Sequence, residues 1–145
     1  MRRPVRSGEP ARRQQHHAVV GRRRHHDGPG VGDIELLVAG AGDTYFGRLY
    51  EISPDEFESQ VQIHLIGAFR LANAVLPGMV TRQRGDVIFV GSDVSLRQRP
   101  HMGAYGAAKA ALVAMVTNYQ MELEGTGVRA SIVHPGPTKT SMGWS

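Results

Sequence analysis

Cysteine is absent from this 145-residue chain, so disulfides, thiolate metal sites and thiol nucleophiles are excluded together. The lack fits a cytoplasmic protein. No run of about 18 apolar residues occurs, so nothing in the sequence reads as a membrane span. Aromatic residues reach only 6%, and none lies among residues 1–30, where arginine is densest. A stacking platform for nucleic-acid bases is therefore missing where phosphate-binding charge is concentrated. With 41% apolar residues the chain is too hydrophobic for wholesale disorder, and its length suits one domain with its own core.

The formal net charge of +4 is unevenly spread. Residues 1–33 hold eight arginines against three acidic residues, or +5, while the remaining nine basic and ten acidic residues leave −1. Residues 1–30 are rich in Arg, His, Gly and Pro and show neither period-two alternation nor a helical stripe. They are expected to form a disordered basic tail, because they bury too little surface to offset the entropy of ordering. A mis-set start of the reading frame would also give such a tail. Nucleic acid is a disfavoured partner for it without aromatics. The pairs His16-His17 and His25-His26 lack the orienting partners of a metal site. No apolar segment follows the arginines to complete an export signal.

From residue 31 onward the texture is that of a folded domain, 31–145. Ile34, Leu36, Leu37 and Val38 make a short apolar run that ends in Ala39-Gly40-Ala41-Gly42, read as a buried parallel strand followed by a tight turn. Ser53-Pro54-Asp55-Glu56 has a capping serine, a proline at the first helical position and a glutamate three residues after the cap. Phe57, Val61, Leu65, Ala68, Leu71, Ala72, Val75 and Leu76 keep helical spacing until Pro77-Gly78, where the helix is expected to end or kink. Val87 to Val90 and Val128 to Val133 are further strand candidates. An alanine-rich helix over 105–123 lies between them, closed by Gly125 and Gly127. Strand, helix, strand, helix, strand with right-handed crossovers gives an α/β fold with a parallel sheet. Ligands of such sheets bind beyond the carboxyl ends of the strands. Those ends are Gly40 to Gly42, Gly91-Ser92 and His134 to Pro137.

At these ends stand residues that carry chemistry. Tyr105 and Lys109 are four apart on one helical face, a spacing that by itself means only an exposed pair contributing a few tenths of a kcal/mol. Ser92 precedes Tyr105 by thirteen residues, and Pro135-Gly136 follows it by thirty. A serine that merely caps a loop is the plain alternative for Ser92. With these four landmarks in order, the chain from about Val31 to Trp144 resembles the short-chain dehydrogenase/reductase family. The resemblance implies part of a Rossmann-like, doubly wound parallel sheet, its C-terminal half. It also implies an NAD- or NADP-dependent oxidoreductase moving hydride between nicotinamide and a small alcohol or ketone substrate. Tyr105 would be the general acid/base. Lys109 would support its ionisation and bond the nicotinamide ribose, and Ser92 would hold the substrate oxygen. A tyrosine pKa of about 10 is too high for a base at neutral pH, so a nearby ammonium is what the chemistry asks for.

Further correspondences are partial. Gly40, Ala41 and Gly42 stand where the family often has Asn-Asn-Ala-Gly, and only Ala41 and Gly42 match. Pro135-Gly136-Pro137-Thr138-Lys139-Thr140 resembles the family's Pro-Gly-x-x-x-Thr turn. It would bond the cofactor carboxamide through the main chain near Thr138 and the Thr140 hydroxyl. His64 takes the place of the helical asparagine, the fourth member of the site. Two readings stay open for it: a proton relay through a water, or a buried histidine satisfied by a backbone carbonyl. His101, Arg97, Arg99, Met102 and Trp144 are placed to approach substrate, while His134 is expected to pack beside the Pro-Gly turn. The two long helices are expected to mediate homo-oligomer formation.

The family's Thr-Gly-x-x-x-Gly-x-Gly pyrophosphate turn is not found; Gly28-Pro-Gly-Val-Gly32 has no strand before it or helix after it. Without that half of the sheet, the strand at 36–38 is expected to leave an apolar edge unpaired. The chain alone is expected to bind dinucleotide weakly and turn over little. A catalytically inactive fragment or non-enzymatic interaction module is the competing reading, against which the persistence of Ser92, Tyr105 and Lys109 argues.

Overall fold

The structure is a computed structural model that describes residues 19–23 and 33–136. Strands β1 (Val19–Arg23), β2 (Ile34–Ala39), β3 (Gly85–Val90) and β4 (Val128–Val133) form one sheet in that order. β2, β3 and β4 run parallel, with Leu37 opposite Val87 and Val87 opposite Ala130. The α/β class and the parallel half-sheet are therefore as expected. Side chains alternate across β3. Val87 and Phe89 are fully buried on one face, where they join Leu37, Ala39, Val128 and Ala130. Burial of each such large side chain contributes about 1.5–3 kcal/mol.

The first crossover begins with α1 (Pro54–Val61), continues through a π-helical turn (Gln62–Ile66) and ends with α2 (Gly67–Thr81). Ser53 and Glu56 form the capping box at its start. The side chains it buries are Gln60, His64, Ala68, Ala72, Leu76 and Met79. Four-residue steps overshoot an α-helical turn by ~40°, so such a seam drifts around the cylinder. The wider π turn takes up that drift where Gln60 and His64 give way to the alanines. Phe57, the expected start of the apolar stripe, is exposed instead.

Pro77 lies inside α2, which runs on to Thr81. Of the two expectations at Pro77-Gly78, an end or a kink, the end is corrected: Leu76 and Met79 on either side are buried in the core, and this packing holds the last turn despite the lost backbone donor. By length and composition the 54–81 run would suffice to cross a membrane. Here its buried side joins the core through Ala68, Ala72, Leu76 and Met79. The second crossover is a short 3-10 turn (Asp93–Ser95) and α3 (Gly103–Glu122), which adds Leu112 and Val116 to the same core. Among the described residues both crossovers cover a single face of the sheet; Val133 on the other is 47% exposed.

The expected unpaired edge of β2 is also corrected. Val19–Arg23 runs antiparallel along it, with Val19 opposite Val38 and Arg23 opposite Ile34. The expected disorder of residues 1–30 therefore fails at these five positions. Strand pairing draws on backbone groups that any extended segment supplies, and the open edge of a parallel strand offers them a complete ladder. The other tail residues, with both histidine pairs and Gly28 to Gly32, lie outside the described residues.

Candidate active site

Where β3 ends, Gly91 and Ser92 leave the sheet and Ser92 begins the 3-10 turn. Its hydroxyl accepts a hydrogen bond from the Val94 amide at 3.2 Å, so Ser92 is a loop cap. It is more than that. The same hydroxyl donates to the Asp93 carboxylate at 3.4 Å, and it favours the phenolate of Tyr105, which stands in the first turn of the next helix. Burial dominates, however, and with the nearby Asp93 carboxylate it leaves the Tyr105 pKa above its usual 10. The phenol is protonated at neutral pH.

One helical turn later Lys109 is buried, its ammonium 5.7 Å from the centre of the Tyr105 ring. Nζ donates to the Val90 carbonyl at 2.7 Å, which leaves two further N–H donors on an ammonium. Burial lowers the Lys109 pKa to about 8. Burial governs Tyr105 in the resting chain, and Ser92 is the neighbour that opposes it.

His64 closes the group from the π turn, a local geometry often found at functional positions. Its ring meets the Tyr105 ring edge to face, with centroids 4.9 Å apart. Nε2 donates to the Asp43 carbonyl at 2.6 Å. A carbonyl only accepts, so the proton is on Nε2 and Nδ1 is a bare acceptor, buried and without a hydrogen-bond partner. Burial first, and then the Lys109 charge, push the His64 pKa down to about 4 despite the Asp43 bond. Histidine is thus neutral throughout the physiological range, and the backbone-satisfied reading describes one of its two nitrogens. A Cβ on Gly42 would lie 2.6 Å from His64 Cε1, so this ring position requires glycine there.

Sequence reasoning missed the residues behind His64. The buried Asp43 carboxylate accepts from Gln60 Nε2 at 2.7 Å, and Asp43 supplies the carbonyl that fixes the imidazole. A polar residue at a stripe position of a helix, four before a histidine, was the available signal.

The glycine-rich end of β2, Gly40 to Gly42, lies beside these groups. Gly42 contacts His64, and a Cβ on Gly40 would approach Val90 at 3.2 Å. Pro135 and Gly136 follow β4 and reach the serine loop, where the Asp93 amide donates to the Pro135 carbonyl at 3.2 Å. Among the described residues nothing stands within 4 Å of a Cβ placed on Gly136. Thr138, Thr140 and Trp144 lie outside the described residues. Of the residues expected near substrate, Arg99 forms an ion pair with Asp93 across the loop. His101 is exposed, and Arg97 points from the same exposed stretch.

Three strand ends therefore converge on a hydroxyl, a phenol, an ammonium and a neutral imidazole. The description "short chain dehydrogenase" belongs to a protein-family model that matches residues 9–145. A 2,3-dihydro-2,3-dihydroxybenzoate dehydrogenase of Bacillus subtilis is 34% identical over 115 residues, which are 79% of this chain and 44% of that protein. An uncharacterised NAD-dependent oxidoreductase of Mycobacterium tuberculosis is 33% identical over 112 residues, 77% of this chain and 41% of the relative. Among solved structures, a gluconate 5-dehydrogenase from Burkholderia cenocepacia in complex with NADP and tartrate superposes with a TM-score of 0.75 at 29% identity, covering 77% of this chain and 44% of that one. The chain thus spans less than half the length of these relatives.

Proposed function

The chain belongs to the short chain dehydrogenase family, and on that premise we propose that it carries the acid/base half of an NAD(P)-dependent oxidoreductase site acting on a carbonyl or alcohol. The observation that supports this best is the buried Lys109 ammonium 5.7 Å from the centre of the Tyr105 ring, with the Ser92 hydroxyl favouring the Tyr105 phenolate. A bound nicotinamide supplies or removes the hydride. The chain handles the proton. In the reducing direction Ser92 donates to the substrate oxygen, and Tyr105, protonated at neutral pH, delivers its phenolic proton to that oxygen as charge develops there. Lys109 then faces the phenolate, and its positive charge is what such an anion requires in a buried site. His64, neutral and acceptor-only at Nδ1, acts through Tyr105 and Lys109 as a positioning residue.

The residues fit the nicotinamide end of NAD or NADP. Lys109 keeps two N–H donors and Tyr105 its phenolic hydroxyl for a ribose, and Gly40 to Gly42 and Pro135-Gly136 stand at the neighbouring strand ends. Thr138 and Thr140 are assigned to the same cofactor from the family's turn. Small alcohols or ketones are the substrate class, in the cytoplasm. A second copy of the chain is the proposed partner, docking through the helices, where Phe57, Phe69 and Val80 are exposed.

The test is oxidation of NADH and NADPH by concentrated chain with a panel of small carbonyl compounds, beside Tyr105→Phe. Slow turnover that disappears in the variant supports the reading, and turnover that survives it contradicts it. An inactive fragment is favoured by one observation, the sheet face left bare among the described residues. It predicts identical behaviour of both proteins.

A further inference from the structure

The carbonyl of Ser92 is held as firmly as its hydroxyl. Ser95 Oγ donates to it at 2.5 Å, and His134 Nδ1 lies 3.1 Å from the same oxygen and 3.1 Å from Ser95 Oγ. A carbonyl oxygen cannot donate, so Nδ1 at this distance carries the proton and His134 is the Nδ1–H tautomer. The contact joins two strand ends. Gly91 donates to the Val133 carbonyl at 2.7 Å, His134 reaches Ser92, and Asp93 donates to the Pro135 carbonyl at 3.2 Å. Three successive bonds stitch residues 91–93 to residues 133–135. A Cβ at Gly91 would lie 2.8 Å from His134 Nδ1, so the sequence leaves room for this imidazole. Arg99 secures the far side of the loop through Asp93.

We propose that His134 is a positioning residue for Ser92: by donating to the Ser92 carbonyl it locks the serine loop to the Pro135-Gly136 turn and thereby fixes the place of the Ser92 hydroxyl. Mere packing beside the turn, the reading from sequence, does not require a donor at Nδ1. The inference rests on the oxidoreductase reading for its consequence but not for its geometry. The side chain of Ser92 is tied to Val94 within its own turn, and only the carbonyl side of the residue is anchored to another strand. Loss of that anchor leaves only the two backbone bonds, Gly91 to Val133 and Asp93 to Pro135, to hold the turn, and Ser92 between them gains freedom.

The test uses the resting full chain labelled with 13Cζ-tyrosine and 15N-histidine. In the unsubstituted protein, nitrogen resonances should show His134 protonated at Nδ1; a bare Nδ1 overturns the proposal outright. His134→Leu should raise the titration midpoint of Tyr105, in the same direction as Ser92→Ala, because Ser92 is the neighbour that favours the phenolate. His134→Asn, whose amide nitrogen falls near the place of Nδ1, should restore the original midpoint. A folded His134→Leu with an unchanged Tyr105 titration, or an Asn variant no better than Leu, contradicts it. Should His134→Leu fail to fold, Ser95→Ala removes the companion donor and should raise the midpoint by a smaller amount; no shift there counts against the joint. Failure of the oxidoreductase reading would show separately, as absence of any Tyr105-dependent NADH or NADPH oxidation.

Discussion

The ring of His64 stands at 89° to the ring of Tyr105, with 4.9 Å between centroids, and its Nε2 proton is spent on the Asp43 carbonyl. A histidine beside an acid/base tyrosine suggests a proton carrier. The burial of His64 and the charge on Lys109 argue otherwise, since they hold its pKa at about 4 and Lys109 titrates near 8. Passing a proton from that ammonium to this imidazole runs uphill by roughly 5 kcal/mol. The role proposed for His64 is therefore one of position.

This depressed pKa makes folding pH-dependent. The unfolded histidine titrates near 6.5 and the folded one near 4, so between these values the unfolded chain binds more protons. Stability contributed by neutral His64 is complete above the unfolded value and is lost as pH falls from about 6.5 towards 4, by roughly 3 kcal/mol in all. Urea unfolding at pH 7 and pH 4.5 should show that loss, and His64→Asn should remove most of it. An equal pH dependence in the variant contradicts the assignment.

Lys109 carries the opposite cost. Its folded pKa of about 8 lies below the usual 10.5, so below pH 8 the buried charge destabilises the fold. Lys109→Met keeps similar bulk without the charge and should raise the melting temperature at pH 7 by a few degrees while abolishing any Tyr105-dependent turnover. A lower melting temperature would mean that the bond to the Val90 carbonyl outweighs desolvation.

Gly42→Ala tests the space under His64. The added methyl would press on the imidazole at Cε1 and Nδ1, and overpacking of this kind costs about 1–3 kcal/mol. The expected signature beyond lost stability is a broken His64–Asp43 bond, read as His64 regaining a titration nearer 6.5. An alanine variant with unchanged stability and a silent His64 contradicts the packing described.

Deleting residues 1–23 removes β1 and bares the backbone edge of β2. The truncated chain should aggregate faster at equal concentration, as an open strand edge templates further pairing. Light scattering during refolding measures it, and equal rates would show that β1 does not guard that edge.

Much of this could be read from the residues themselves. The parallel strands are legible because Leu36-Leu37-Val38 and Val87 to Val90 are continuous apolar runs, and the first helix because Ser53 and Glu56 spell out its cap. Ser92, Tyr105 and Lys109 are legible as a set only through their spacing. Three features were not. Val19–Arg23 pairs through its backbone, which composition does not report. Pro77 stays within α2 because its neighbours are buried, and propensity cannot see a tertiary neighbour. Asp43, Gln60 and His134 matter through single hydrogen bonds to backbone atoms or to one another, and no sequence period marks such bonds.

The account stands or falls on whether nicotinamide reaches these strand ends. Backbone and tyrosine resonances of the chain, recorded with and without millimolar NADH or NADPH, decide it even if affinity is low. The account predicts shifts confined to Gly40 to Gly42, Ser92, Tyr105, Lys109 and Gly136, with the Tyr105 shift lost in Lys109→Met. Shifts absent from this set, or clustered instead at the start of β4 and the end of α3, would contradict it.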